Sequence, residues 1–163
     1  MSKVQFDTNS EGDTLNVAVA GTVDEDSANA FPNIGDFAGT GNLKVDVGSL
    51  EAINSCGIRE WVIWVKSFPG EMNVVYYNCP RIFVEQLNMI EGLIPANGKV
   101  ESFFVPYYCD DSDHITNKLL VKGQDYNGAE IEIEEFIKCE KSGGEAELDI
   151  IESKYLKFLK DFG

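Results

Sequence analysis

A single histidine, His114, is all that this chain of 163 residues offers for imidazole acid–base chemistry, and no serine or cysteine stands at a recognisable catalytic spacing from it. Neither a Gly-x-x-x-x-Gly-Lys nor a Gly-x-Gly-x-x-Gly segment occurs, so both common glycine-rich phosphate cradles are missing. Carboxylates abound, but nothing in the order of residues pairs them into an acid and a base. The expectation is a protein that is not an enzyme. Basic side chains are also scarce: 13 lysines and arginines face 28 aspartates and glutamates, a formal charge of -15. Binding to phosphate backbones depends on lysine and arginine displacing counterions, so nucleic acid and anionic membranes are excluded as partners. The acidity is spread along the chain, with 13 acidic and 6 basic residues in 1–100 and 15 and 7 in 101–163. That distribution reads as a solvated acidic surface, which would steer a basic partner.

No run is apolar for long enough to span a bilayer, and the opening Met1-Ser2-Lys3-Val4-Gln5-Phe6-Asp7 lacks the apolar core of a signal peptide. A cytoplasmic location is the expectation. The four cysteines, Cys56, Cys79, Cys109 and Cys139, are scattered and fit free thiols in a reducing compartment better than a disulfide framework.

What the chain does have is 44% hydrophobic residues, enough for one compact domain with an appendage. Its most informative stretch is Leu43 to Lys66. Val45 and Val47 alternate with Lys44 and Asp46 in the period of a strand, and after Ser49 the spacing shifts to Ile58, Trp61, Val62, Val65 and Phe68, the period of a helix. Strand, turn and helix therefore meet at Asn54, Ser55, Cys56 and Gly57. A helix start carries unpaired N–H groups and partial positive charge, with Ser55 expected as its N-cap. Cys56, Arg59, Glu60, Ile63 and Ser67 fall on the side opposite the apolar stripe, a mixed face able to receive a partner. The plainer reading makes Asn54 and Ser55 a cap and Cys56 a packing residue.

The same segment resembles the central strand, loop and following helix of STAS domains, the fold of bacterial anti-sigma-factor antagonists, with Asn54-Ser55-Cys56-Gly57 lying where that family carries Asp-Ser-Ser-Gly. Leu15 to Val23 with Asp24-Glu25 resembles the family's preceding strand and acidic turn. Asn73 to Asn78, Cys79-Pro80 and the helix Arg81 to Ile90 resemble the next strand and helix. The resemblance covers about the first hundred residues. It implies an α/β fold, a STAS-like mixed β-sheet packed against helices. It also implies a partner such as an anti-sigma factor or related histidine-kinase-like ATPase. In phospho-regulated members the serine before the glycine is the kinase target, and Cys56 occupies that position here. Ser55 is a substitute only if it is not consumed as a cap. A thiol in a first helical turn has its thiolate favoured by the helix dipole, so a redox sensor at Cys56 is the competing function.

Elsewhere, Val4 to Phe6 and Leu15 to Val23 read as a hairpin joined by the polar cluster Asn9 to Asp13, and Asp24 to Phe37 as a weak helix broken by Pro32 and Gly35. Gly39-Thr40-Gly41-Asn42 ends that helix. Met72 to Tyr77 is a strand. Pro80 opens a helix whose inner face is Phe83, Leu87, Ile90 and Ile94. After Pro95-Ala96-Asn97-Gly98 the pattern turns β-rich, with Val100 to Tyr108, Lys118 to Lys122 and Ile131 to Ile137 as strands and Leu148 to Phe162 as a closing helix. The division is thus 1–98, a STAS-like domain, and 99–163, a small β-rich C-terminal extension. Of the latter, the Val100 strand is expected to complete the first sheet.

In the extension, Cys109-Asp110-Asp111-Ser112 and Cys139-Glu140-Lys141-Ser142-Gly143 resemble the two Cys-x-x-Cys knuckles of a zinc ribbon with each second cysteine replaced by serine. Serine keeps its proton at neutral pH and ligates poorly, so Cys109 and Cys139, with His114 and Asp110, Asp111 or Asp113 nearby, are weak metal candidates. The extension reads as a ribbon that has lost its metal, and no cofactor is expected. The functional expectation is a signalling module in transcription regulation that works by protein–protein contact through Asn54, Ser55, Cys56, Gly57, Arg59, Glu60 and Ile63. The alternatives are the thiol sensor and a structural or scaffold subunit of a larger assembly.

Overall fold

The computed structural model describes residues 2–37 and 41–163. Strand β1 (Gln5–Glu11) turns back into β2 (Thr14–Val23). β3 (Asn42–Ile53) leads into helix α1 (Ser55–Lys66), and β4 (Asn73–Tyr77) into α2 (Arg81–Met89), before the short β5 (Lys99–Val100). These five strands form one mixed sheet in the order β1-β2-β3-β4-β5, antiparallel at β1–β2 and parallel thereafter. Because β3, β4 and β5 are added in one direction, right-handed crossovers put α1 and α2 on the same face. Burial follows: Leu43, Val45 and Val47 of β3 and Val74 and Tyr76 of β4 pack under Trp61, Trp64 and Val65 of α1 and Phe83, Val84 and Leu87 of α2, while Lys44 and Asp46 on the other face are exposed.

The hairpin strands run much closer together than the polar cluster Asn9 to Asp13 suggests. A two-residue turn at Gly12 and Asp13 joins them, with Gly12 at φ 61°, a left-handed position at the first central residue that suits glycine. Between β2 and β3, the expected helix over Asp24 to Phe37 is instead two isolated 3-10 turns, Ala28–Ala30 and Ile34–Asp36. Pro32 lies between them with its carbonyl accepting from the Trp64 indole N–H at 2.8 Å, which ties the connection to the core rather than to itself. Ile34 is fully buried there. Of the break expected at Gly39 to Asn42, Gly39 and Thr40 lie outside the described residues, and Asn42 already belongs to β3.

The remaining strands are β6 (Ser102–Cys109), β7 (His114–Val121), β8 (Tyr126–Asn127), β9 (Glu130–Ile131), β10 (Phe136–Lys138) and β11 (Glu145–Leu148). Among the described residues β10-β11-β6-β7 form a curled antiparallel half-barrel and β8–β9 a small ribbon. The passage from β5 to β6 is nearly continuous. Cys79 N–H donates to the Ser102 carbonyl at 3.1 Å, and Phe104 N–H to the Cys79 carbonyl at 2.9 Å, so the strand that closes the first sheet also starts the second. Asn78, at φ 56°, makes the bend, its N–H donating to the Ser102 hydroxyl at 2.8 Å. One hydrophobic core spans both sheets, running across the 98/99 position from Val74 and Phe83 to Phe103, Val105 and Phe158.

Two expectations about helices need correction. Leu148 to Phe162 is not one helix: Leu148 ends β11, and two short helices follow, α3 (Glu152–Tyr155) and α4 (Leu159–Phe162). Asn88 of α2 takes up the interruption, its amide donating to the Tyr155 carbonyl and accepting from the Phe158 N–H, both at 2.8 Å. Ile90, expected on the inner face of α2, is 37% exposed, because α2 ends at Met89 and the helical period does not continue to it.

Candidate functional site

The opening of α1 sits where β2 and β3 end. β3 carries two extra residues relative to β2, between the Ala18/Asp46 and Ala20/Ser49 pairs and between Gly21/Leu50 and Thr22/Ala52. These bulges bend the strand so that Asn54 N–H still reaches the Val23 carbonyl, at 3.2 Å. The N-cap is Asn54, not Ser55. Its backbone is extended (φ -102°, ψ -179°), and its side-chain oxygen accepts from the Gly57 N–H at 2.9 Å. Asparagine and serine are comparable caps, and the choice falls to Asn54 because the chain is still strand-paired there and its amide has a second partner. That partner is Glu25, whose carboxylate accepts from the Asn54 Nδ2 at 2.9 Å. A contact spanning 29 residues carries no local sequence signal, and Glu25 is the residue of this site that sequence reasoning missed as a contact.

Gly57 is buried, and a Cβ there would run into the Val23 carbonyl. Its role is to let the first turn of α1 press against the end of β2. Ser55, Cys56 and Arg59 are exposed, Glu60 is half-buried and Ile63 is 51% exposed. Cys56, Arg59, Glu60 and Ile63 thus share the outer face of α1, whereas Asn54 and Gly57 are occupied in building the loop. Trp64, which the spacing does not place on the inner stripe, is buried with Trp61, and the two indoles meet edge to face at 5.3 Å. The thiols divide clearly: Cys56 is free and exposed, whereas Cys79 is free and buried, with burial foremost and the charge of Asp46 behind it pushing its thiol well above the ordinary range.

At the far end of the half-barrel, the two knuckle-like turns do come together. Cys109 ends β6 and Cys139 follows β10, their Cα atoms 5.9 Å apart, and the two sulfurs form a disulfide. The expectation of four free thiols is therefore corrected at this pair. The curl of the sheet brings together two turns 30 residues apart in the chain, a geometry that cysteine spacing does not reveal. Ser112 Oγ lies 3.6 Å from Cys139 Sγ, whereas Ser142 donates to Asp111 at 2.9 Å and His114 Nε2 is 2.7 Å from a Glu140 carboxylate oxygen. No group of three or more histidine, cysteine or acidic side chains is arranged to hold a metal ion among the described residues. No described helix is long and apolar enough to cross a membrane.

No protein-family model matches the chain, and no curated protein matches it either.

Proposed function

We propose that the chain is a regulatory protein–protein interaction module of the anti-sigma-factor-antagonist type, with a STAS-like fold over 1–98, engaging its partner through the opening and outer face of α1. The observation that carries this reading is the division of α1. One side, Trp61, Trp64 and Val65, is buried in the core, and the other leaves Ile63 half in water beside Arg59 and Cys56 at the end of the sheet. The partner would be a protein such as an anti-sigma factor or a related histidine-kinase-like ATPase, met in the cytoplasm, with no cofactor and no metal. The resemblance of Asn54-Ser55-Cys56-Gly57 to the family tetrad supports the same surface.

The ordinary switch is absent, since Cys56 stands at the phosphorylated position and forms no phosphoester of that kind. Because Asn54 provides the cap, the exposed Ser55 hydroxyl is not spent on it. Against phosphate there stands the Glu25 carboxylate, bonded to Asn54 at the same helix opening, which would repel a second negative group. The reading is therefore a constitutive binder rather than a phosphoswitch.

The test is a binding titration against an anti-sigma-type kinase with wild type, Cys56→Asp, Ile63→Asp and, as a control on the opposite sheet face, Lys44→Glu. Cys56→Asp and Ile63→Asp are expected to weaken binding about tenfold or more, the effect of truncating or charging an interface centre, and Lys44→Glu to leave it unchanged. Equal affinity of all four would move the interface off α1. In the same mixture Cys56→Ser should be phosphorylated faster than wild type, and equal labelling of wild type at Ser55 would show a switch displaced by one residue. The exposed position of Cys56 favours one further reading, a thiol sensor, which requires that oxidation of Cys56 alone changes the affinity.

A further inference from the structure

We propose that the Cys109–Cys139 pair is a redox latch that fastens the β10–β11 hairpin onto the β6–β7 hairpin. The hairpin has few other means of attachment. Among the described residues β10 pairs only with β11, and β11 meets β6 through two residue pairs, Glu147–Tyr108 and Leu148–Tyr107, whereas β6 and β7 share eight, from Ser102–Val121 to Cys109–His114. The apolar contribution of the hairpin is small, with Ala146 its one fully buried side chain beside Cys139. Its other ties are polar: Ser142 to Asp111, His114 to Glu140 and Lys118 to Glu134 near solvent, and, deeper, the Glu140 N–H to the Thr116 hydroxyl at 3.1 Å and the Tyr107 hydroxyl to the Glu134 carbonyl. Removing one covalent link from so sparse an interface opens the hairpin locally while leaving the five-stranded sheet untouched.

The surroundings of the sulfurs house both redox states. Thr116 Oγ1 lies 3.4 Å from Cys109 Sγ and 3.9 Å from Cys139 Sγ, and Ser112 Oγ lies 3.6 Å from Cys139 Sγ. Hydroxyls against sulfur hydrogen-bond a thiol or thiolate and do little for a disulfide, so the reduced pair also has partners waiting. Both sulfurs are buried, yet they lie just beneath the turns 110–113 and 140–144, where Asp110, Asp111, Glu140 and Lys141 are exposed. Fraying of these turns admits a small thiol or disulfide. In a reducing cytoplasm such a pair cycles rather than remaining a permanent staple.

The chemistry balances with a low-molecular-weight disulfide as oxidant. One protein thiolate attacks a sulfur of glutathione disulfide, breaks its S–S bond and releases a glutathione thiolate. The second protein thiolate then attacks the mixed disulfide, forms the Cys109–Cys139 bond and releases the second glutathione. Two electrons pass from the protein to glutathione, and each protein thiol yields its proton to solvent. Reduced glutathione reverses both steps.

The full chain is equilibrated in glutathione buffers of graded oxidised-to-reduced ratio, quenched with acid, alkylated and assayed by mass for the 109/139 pair. Hydrogen exchange is followed in parallel. The expected result is reversible interconversion, with amides of 136–148 exchanging about tenfold faster or more in the reduced protein while those of β2, β3 and β4 stay protected. Cys139→Ser should show the reduced pattern in every buffer, and if that variant does not fold, the reduced wild type answers alone. A pair that does not interconvert in the native protein overturns the proposal. So does unchanged protection of 136–148 on reduction, and so does loss of protection throughout the chain.

Discussion

Asn54 holds three things at once: its own N–H on Val23, its side-chain oxygen on the Gly57 N–H and its side-chain nitrogen on Glu25. Asn54→Ala removes the last two and should cost about 1–2 kcal/mol, the usual worth of a helix cap, read as a lower urea midpoint at unchanged slope. Asn54→Asp keeps the cap but turns the donor facing Glu25 into a like charge, so it should recover only part of the loss. Gly57→Ala is the harsher change although it adds one methyl group, because the added carbon meets backbone, the Val23 carbonyl, which cannot step aside as a side chain would. We expect a loss of about 2–4 kcal/mol, in the range of overpacking and strained contacts, with the far-ultraviolet helix signal falling as α1 lifts from β2. An alanine at 57 that left the midpoint within error would show that the helix start is not pressed on the strand. Gly57 is buried and the polar atoms of the exposed Asn54 side chain are taken up by Gly57 and Glu25, so in the tetrad Asn54 and Gly57 build the loop and the outward pair is Ser55 and Cys56.

At the level of elements, β3 and α1 were legible in the sequence because each has one wet and one dry side, and Lys44, Asp46 and the Ile58/Trp61/Val65 spacing report it directly. β1 was not, beyond its start. Its residues from Asp7 to Glu11 are exposed, so no alternation marks a strand and pairing with β2 alone makes one. The connection over Asp24 to Phe37 misled in the opposite way: Ile34 is buried and Phe31 and Phe37 are partly buried, but they follow two separate 3-10 turns rather than lining one helix face, and the Phe31 ring packs on Trp64, Trp61 and Phe6. The outer face of α1 could be drawn up in advance because helical geometry depends on local spacing. The Glu25 contact and the Cys109–Cys139 pair could not, since both join elements far apart in sequence. Asn88 is a further such joint, and Asn88→Ala should leave the Tyr155 carbonyl and Phe158 N–H unpaired in a half-buried setting. The expected cost is about 1–3 kcal/mol, with faster amide exchange confined to α3 and α4. A uniform rise in exchange over the whole chain would show instead that α2 had lost its own packing.

The whole molecule responds to pH through its tyrosines. Burial is the leading cause at Tyr76, Tyr126, Tyr155 and Tyr107, pushing the phenol of Tyr107 up to about 12 and the other three higher still. Their hydroxyls are donors in the core: Tyr76 to Leu93 at 2.7 Å, Tyr155 to Phe104 at 2.6 Å, and Tyr126 and Tyr107 to the carbonyls of Val100 and Glu134. Three of these bonds involve the second sheet or its junction with the first, so tyrosine ionisation reaches both ends of the common core. Below the ordinary phenol pKa near 10, folded and unfolded chains are equally protonated and these groups contribute their full share of stability. Above it the unfolded chain releases phenolic protons that the folded chain retains, and stability falls as pH climbs from about 10 toward the folded values. Each phenolate formed adds to a formal charge that already stands at -15, and self-repulsion acts in the same direction. The expected outcome is a cooperative alkaline unfolding above about pH 10, in which most of the tyrosinate absorbance appears together with the loss of far-ultraviolet structure. The half-buried Tyr108 is bonded to Asp113, which raises its phenol ahead of other causes, so it does not supply an early step of ordinary position. Gradual tyrosinate formation completed near pH 10 with the fold still intact would mean that these phenols are in contact with solvent and that the common core does not close over them.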